Sequence, residues 1–196
     1  MICAPLGALT SRFICAARLK SQNKLAKNTI VATQMSNIGL ERAAESLGAR
    51  TVRTDVGDRY VVEEMRKNGY NFGGEQSGHM IFLDHSTTGD GMLAAIWLFD
   101  AMKAEKKELR QMATIMQRYP QVLKNLMVNY KEPLHNLPRY NEVRRQIEAE
   151  LGKDGRVLVR YSGTENKVRV MVEGSDMKQI EEYTDNIIAV LDEELN

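Results

Sequence analysis

Residues 28–54 hold the arrangement that most restricts the fold. A β-branched run (28–33) is followed by an amphipathic segment, and a second β-branched run (50–54) comes directly after it. Ser36 and Asn37 suit a helix N-cap, and Ile38, Leu40, Ala43, Ala44 and Leu47 recur at helical spacing to form one apolar face. Gly48 supplies a stop, because a glycine takes the left-handed turn that ends a helix. Two strands joined by a helix default to parallel pairing with a right-handed crossover. The uninterrupted β-branched run at 28–33 suits a strand buried on both faces, which calls for a layered α/β domain.

The neighbouring segments extend that domain. Residues 11–22 read as a short helix with Phe13, Ile14, Ala17 and Leu19 on one side. Gly57-Asp-Arg59 opens a helix over about 60–67 that ends at Asn68-Gly69, and residues 80–83 form a strand. Thr88 or Asp90 caps an apolar helix carrying Leu93, Ile96, Trp97, Leu98, Phe99 and Met102. That helix is apolar nearly all round and is expected to be deeply packed. A polar helix over 107–117 leads to Tyr119-Pro120, a boundary because proline cannot continue a helix. Beyond it the pattern changes to strands at 122–130, 156–160 and 167–173, with helices at 141–151 and 176–195. Strand, helix, strand, strand, helix predicts a small α+β layer.

Composition narrows the function classes. A net charge of +1 and a pI near 7.7 give no nucleic-acid footprint, and 6% aromatic residues leave little for base stacking. No apolar run approaches the roughly 18 residues that span a bilayer, so no membrane partner and a cytoplasmic location are expected. Cys3 and Cys15 make no metal spacing, and His79, His85 and His135 are too scattered for zinc.

Three stretches carry chemistry. Arg-Tyr-Ser-Gly-Thr-Glu-Asn-Lys-Val-Arg at 160–169 places a turn of hydroxyls and one glycine between two alternating strands. Ser162 and Thr164 offer donors, Gly163 lets a ligand approach the main chain, and successive N–H groups can form an anion nest. Arg160 and Arg169 supply planar, always-charged forks suited to phosphate. The same residues also suit a plain hairpin turn with solvated arginines, and the stretch by itself leaves both readings open. Gly-Gly-Glu-Gln-Ser-Gly-His at 73–79 sets Glu75 and Ser77 two residues apart, on one side of an extended segment. A carboxylate and a hydroxyl so placed can accept from and donate to sugar hydroxyls, whereas the bland reading is a glycine-rich turn before a strand. Thr-Asp-Val-Gly-Asp-Arg-Tyr at 54–60 leads into a helix N-terminus, where Arg59 could reach a phosphate, or where Asp58 is an N-cap and Arg59 is solvated.

Taken together, these stretches resemble the bacterial phosphoglucosamine mutases of the α-D-phosphohexomutase superfamily. The resemblance rests on Val-Gly-Asp-Arg-Tyr-Val at 56–61, Gly-Glu-Gln-Ser-Gly-His at 74–79, Thr-Thr-Gly-Asp-Gly at 87–91 and Arg-Tyr-Ser-Gly-Thr-Glu at 160–165. It implies an enzyme of four domains that interconverts glucosamine 6-phosphate and glucosamine 1-phosphate through a phosphoserine and a 1,6-bisphosphate, with Mg2+ held by an Asp-Gly-Asp-type loop. By the resemblance the third domain reads the sugar with Glu75 and Ser77, joined by His79, Asp58 and Arg59 as substrate-binding residues. The fourth clamps the non-transferring phosphate with Arg160, Ser162, Gly163, Thr164 and Arg169. The family's reactive-serine loop and its Asp-Gly-Asp loop are not in this sequence, so no catalytic or metal-binding residue is expected here. Tyr161 and Asn166 stand where relatives commonly have proline.

The expectation is therefore the C-terminal half of such an enzyme, inactive by itself, with a phosphosugar as its partner. It comprises a non-family segment (1–10), a mixed-sheet α/β sugar-binding domain (11–120) and an α+β domain (121–196). The last has an antiparallel four-stranded sheet and two helices. The competing readings are a phosphomannomutase/phosphoglucomutase of the same superfamily and a non-catalytic phosphosugar-binding module.

Overall fold

The computed structural model describes residues 7–196. Residues 1–6, with Cys3 and most of the expected 1–10 segment, lie outside the described residues. The chain divides into two compact units, Met1–Arg118 and Tyr119–Asn196.

In the first unit α1 (Ala8–Ser21) leads to β1 (Thr29–Thr33), α2 (Gly39–Ser46) and β2 (Arg50–Thr54). Next come α3 (Asp58–Asn68), β3 (Phe72–Gly74), β4 (Met80–Phe82), α4 (Gly91–Glu105) and α5 (Leu109–Met112). The sheet order is β2-β1-β3-β4. β1 runs parallel to β2, with Thr29 opposite Arg50 and Thr33 opposite Thr54, and parallel to β3. β4 returns antiparallel, so the sheet is mixed. Every residue of β1 is buried. Its alternation explains the layering: Ile30 and Ala32 join Phe13, Leu19, Leu40, Ala44 and Phe82 on one face. Val31 meets Val61, Met65 and Ile81 on the other.

Two local readings change. Phe72–Gly74 is a strand rather than part of a turn. Its glycines are there for close approach: a Cβ on Gly73 would lie 2.7 Å from the Val31 carbonyl oxygen and 3.0 Å from Val61 Cγ1. Gly73→Ala is accordingly expected to destabilise the protein by about 2 kcal/mol, measured by urea unfolding. An unchanged midpoint would mean that the strand can shift to accept the methyl group.

The second change concerns α4, which is packed on one side only. Trp97 stacks on Phe82 (centroids 5.6 Å apart, planes 5° apart), whereas Met92, Ile96 and Phe99 are 78%, 61% and 66% exposed. The cause is that α1 and the sheet supply a single packing surface for this helix, and the opposite stripe meets nothing among the described residues.

The second unit contains β5 (Gln121–Met127), α6 (Pro138–Leu151), β6 (Arg156–Tyr161), β7 (Lys167–Glu173) and α7 (Met177–Leu195). Its sheet has three antiparallel strands in the order β5-β7-β6, not four. The residues left over cannot supply another strand: Leu134–Asn136 is a 3-10 turn, and α6 starts at Pro138 with proline at its first position. Val122, Leu126, Val157, Val159, Val168, Val170 and Val172 line one face of the sheet and pack on Tyr140, Ile147 and Leu151 of α6 and Ile180, Ile187 and Leu191 of α7. Arg160 and Arg169 alternate with these valines and project from the other face. Among the described residues, no helix is long and apolar enough to cross a membrane.

Candidate functional site

In the first unit, residues 75–79 form a loop between β3 and β4 that is closed by its own backbone. Glu75 N donates to the His79 carbonyl (2.9 Å), and Gly78 N donates to the Glu75 carbonyl (3.2 Å). Gly78 sits at φ 108°, a conformation that side chains other than glycine's rarely adopt. The Glu75 carboxylate is then fixed from two sides. Gly57 N, at the entry to α3, donates to Oε1 (2.6 Å), and Ser77 Oγ donates to Oε2 (3.3 Å). Asp58 follows in the first turn of α3, and its Oδ2 lies 2.8 Å from His79 Nδ1. With Nδ1 occupied by Asp58, Nε2 is the ring atom left to meet a ligand. Thr33, at the C-terminal end of β1, donates to the Gln76 side chain (2.8 Å).

Asp58, Glu75, Ser77 and His79 are thus brought together, as carboxylates, hydroxyl and imidazole around one loop. Arg59 is not among them. It is solvent-exposed and pairs along the helix with Glu63 at 2.7 Å, and Gly57 rather than Asp58 holds the N-cap position.

Sequence reading missed Arg12. Its side chain is fully buried beneath the loop, where Nη1 donates to Ser36 Oγ (3.0 Å) and Nη2 donates to the Glu75 carbonyl. Burial pulls its pKa down to about 10, and the nearby Glu75 carboxylate offsets part of that shift. A signal was present: Arg12, Cys15, Ala16 and Leu19 share one helical stripe, and an arginine on an apolar stripe needs buried acceptors.

The second unit carries the turn at 162–166 between β6 and β7. Arg160 and Arg169 face each other across the strands as a registered pair. Neither makes an ion pair with any described residue, and Arg169 Nε is buried without a hydrogen-bond partner. Ser162 is buried, with its N–H on the Lys167 carbonyl (2.8 Å) and its carbonyl on Lys131 Nζ (2.8 Å). Lys167 N donates to the Glu165 carbonyl (2.9 Å), and Val128 N donates to the Asn166 carbonyl (3.0 Å). The N–H groups of Gly163, Thr164, Glu165 and Asn166 donate to no described residue. Gly163 serves through space rather than conformation. Its φ is outside the left-handed region, and a Cβ there would meet nothing within 4 Å. Glu165 would oppose an anion, but its carboxylate is held by Lys167 at 2.6 Å, which lowers its pKa. Two arginines in strand register and four N–H groups without a described acceptor are donor types that a tetrahedral anion could take.

Among the described residues, Asp58, Glu75 and His79 form the one cluster whose ligand atoms, within 4.8 Å of one another, could approach a cation together. It does not suit magnesium, which wants an octahedron of oxygens. His79 offers nitrogen and already engages Asp58, while Glu75 Oε1 is taken by Gly57 N.

Comparison with known proteins agrees with both units. Residues 11–119 match the family model for phosphoglucomutase/phosphomannomutase, alpha/beta/alpha domain III, and residues 123–190 match that for the C-terminal domain. The phosphoglucosamine mutase of Anaeromyxobacter sp. (strain Fw109-5) is 58% identical over 166 residues, covering 85% of this chain and 35% of that protein. That of Desulfotalea psychrophila is 51% identical over 178 residues, covering 91% of this chain and 40% of that protein. The chain therefore spans about two fifths of the length of these relatives. Among solved structures, Aspergillus fumigatus N-acetylphosphoglucosamine mutase, in complex with GlcNAc-6P and magnesium, superposes with a TM-score of 0.73 at 15% identity. The match covers 97% of this chain and 44% of that one. An N-acetylglucosamine-phosphate mutase of the α-D-phosphohexomutase superfamily, in its substrate complex, gives 0.70 at 18% identity over 94% of this chain and 43% of that one. On the match of both domain models in order along the sequence, the chain belongs to the phosphoglucomutase/phosphomannomutase family, of which it carries domain III and the C-terminal domain.

Proposed function

We propose that the chain provides the sugar- and phosphate-recognition elements of a phosphoglucosamine mutase, an isomerase that interconverts glucosamine 6-phosphate and glucosamine 1-phosphate. The observation that carries this reading is the turn at 162–166, whose four free N–H donors lie between Arg160 and Arg169. In it, Arg160, Arg169 and the N–H groups of Gly163 and Thr164 hold the phosphate that is not being transferred, with Thr164 adding its hydroxyl. In the first unit, Glu75 accepts from sugar hydroxyls, Ser77 gives up its long bond to Glu75 (3.3 Å) to donate its one proton to the ring, and His79, oriented by Asp58, presents Nε2. Arg59 is assigned no contact, because Glu63 already holds it.

Phosphoryl transfer depends mainly on positioning and charge stabilisation, so anchoring the far end of a substrate contributes directly to rate in an assembled enzyme. A nucleophilic serine loop and a magnesium loop are needed to complete the reaction, and no transfer step is assigned to residues of this chain. Magnesium, when bound in such enzymes, stabilises the developing phosphoryl charge. The amino sugar is preferred because relatives at 48–58% identity bear the name phosphoglucosamine mutase.

The 196-residue chain is expected to bind glucosamine 6-phosphate without converting it. Supplied with magnesium and a hexose 1,6-bisphosphate and followed by 31P NMR, it should form no glucosamine 1-phosphate. Turnover under those conditions would show that this chain contains its own phosphoryl donor and would overturn the assignment.

A further inference from the structure

We infer that Lys131 is a positioning residue for the anion-binding turn, acting through a peptide plane instead of touching the anion. The inference rests on the phosphate reading above. The segment after β5 braces the turn at three points: Val128 N on the Asn166 carbonyl (3.0 Å), Lys131 Nζ on the Ser162 carbonyl (2.8 Å) and Tyr161 Oη on the Glu132 carbonyl (2.5 Å). Of these, the Lys131 contact bears on a ligand. A trans peptide is planar, so the Ser162 C=O and the Gly163 N–H belong to one rigid unit and point in opposite directions. Holding that carbonyl on Lys131 fixes the Gly163 N–H on the side away from Lys131, where no described residue accepts from it.

The ammonium also polarises the peptide it binds, which makes the same N–H a stronger donor. Asn166 is handled in the same way without a charge. The Glu165 carbonyl is held by Lys167 N, which directs the Asn166 N–H away from it. The turn therefore has two N–H groups aimed by pinned carbonyls, and Lys131 supplies the one charged pin. Its cation is spent on the protein and faces away from the donor it aims. Lys131 itself is exposed, so its replacement leaves the core of the second unit intact.

The test uses Lys131→Met and Lys131→Arg in the full chain, titrated with inorganic phosphate and with glucosamine 6-phosphate under 15N–1H NMR. Lys131→Met is expected to weaken both ligands about tenfold, the size of one charge-assisted hydrogen bond. It should also shift the Gly163 amide in the ligand-free protein and leave the thermal midpoint unchanged. Lys131→Arg, which keeps a cation able to reach the carbonyl, should restore most of the affinity and the Gly163 resonance. Lost affinity with an unmoved free-state Gly163 amide would make Lys131 a direct anion ligand and overturn the inference. Wild-type affinity in Lys131→Met, with Arg160→Ala still weakened, would overturn it and leave the phosphate reading standing. No binding by the wild-type chain would defeat both.

Discussion

Arg160→Ala should weaken glucosamine 6-phosphate binding by roughly 30- to 100-fold, which corresponds to about 2–3 kcal/mol lost from a bidentate charge-assisted contact. The magnitude follows from how Arg160 is held. It lies in register with Arg169, on the sheet face opposite the valine core, and neither arginine forms an ion pair with a described residue, although the Glu165 carboxylate feels Arg169 at longer range. Placing two cations side by side costs the unliganded fold something, and an anion between them removes that cost. The variant should therefore bind worse while its thermal midpoint stays level or rises slightly. Arg160→Lys should recover only part of the affinity, because an ammonium is a point charge and cannot make two parallel bonds. Arg118→Ala, an exposed arginine at the end of the first unit, is the control and should change affinity less than about twofold. Calorimetric titration at fixed ionic strength decides the matter. Equal losses at the two positions would reduce the clamp to a general effect of positive charge.

The largest loss of stability is expected from Arg12→Ala, about 3–5 kcal/mol by urea unfolding. Two effects add. A long side chain with no exposed surface leaves a cavity, and the Glu75 carbonyl and Ser36 hydroxyl each lose a buried donor. Arg12→Met separates the two. Methionine fills most of the volume and removes the desolvation that pulls the guanidinium's pKa down, so it should cost about 1–2 kcal/mol. Alanine and methionine variants of equal stability would show that packing contributes little. An alanine variant as stable as the wild type would show that the loop at 75–79 holds itself in place, and that Arg12 does not support it.

Much of this was legible in the residues. The β1–α2–β2 unit followed from periodicity and from Gly48, because β-branched runs and an amphipathic stripe leave few alternatives at that spacing. The hairpin at 156–173 followed from two-residue alternation, which also placed Arg160 and Arg169 off the core face. What escaped was set by tertiary contact. Phe72–Gly74 looks like a turn because glycine disfavours strands in isolation, yet here the Val31 carbonyl leaves room for nothing larger. Arg12 was hidden because helical arginines are nearly always solvated, and its acceptors, the Ser36 hydroxyl and the Glu75 carbonyl, come from segments 24 and 63 residues away. Arg59 stands apart from the loop because an i,i+4 glutamate pairs with it on the surface of α3. The four-stranded sheet failed for a different reason: only three segments of the second unit carry the strand period.

The central claim is that residues 160–169 form an anion clamp, and one titration tests it most directly. Glucosamine 6-phosphate and glucosamine should be added in turn to the unaltered chain, with the amide resonances of Gly163, Thr164, Glu165 and Asn166 followed by NMR. The phosphorylated sugar is expected to move those four amides along one saturating curve, and glucosamine to leave them in place. Four amides that stay still at saturating glucosamine 6-phosphate, or that respond equally to both sugars, would contradict the claim.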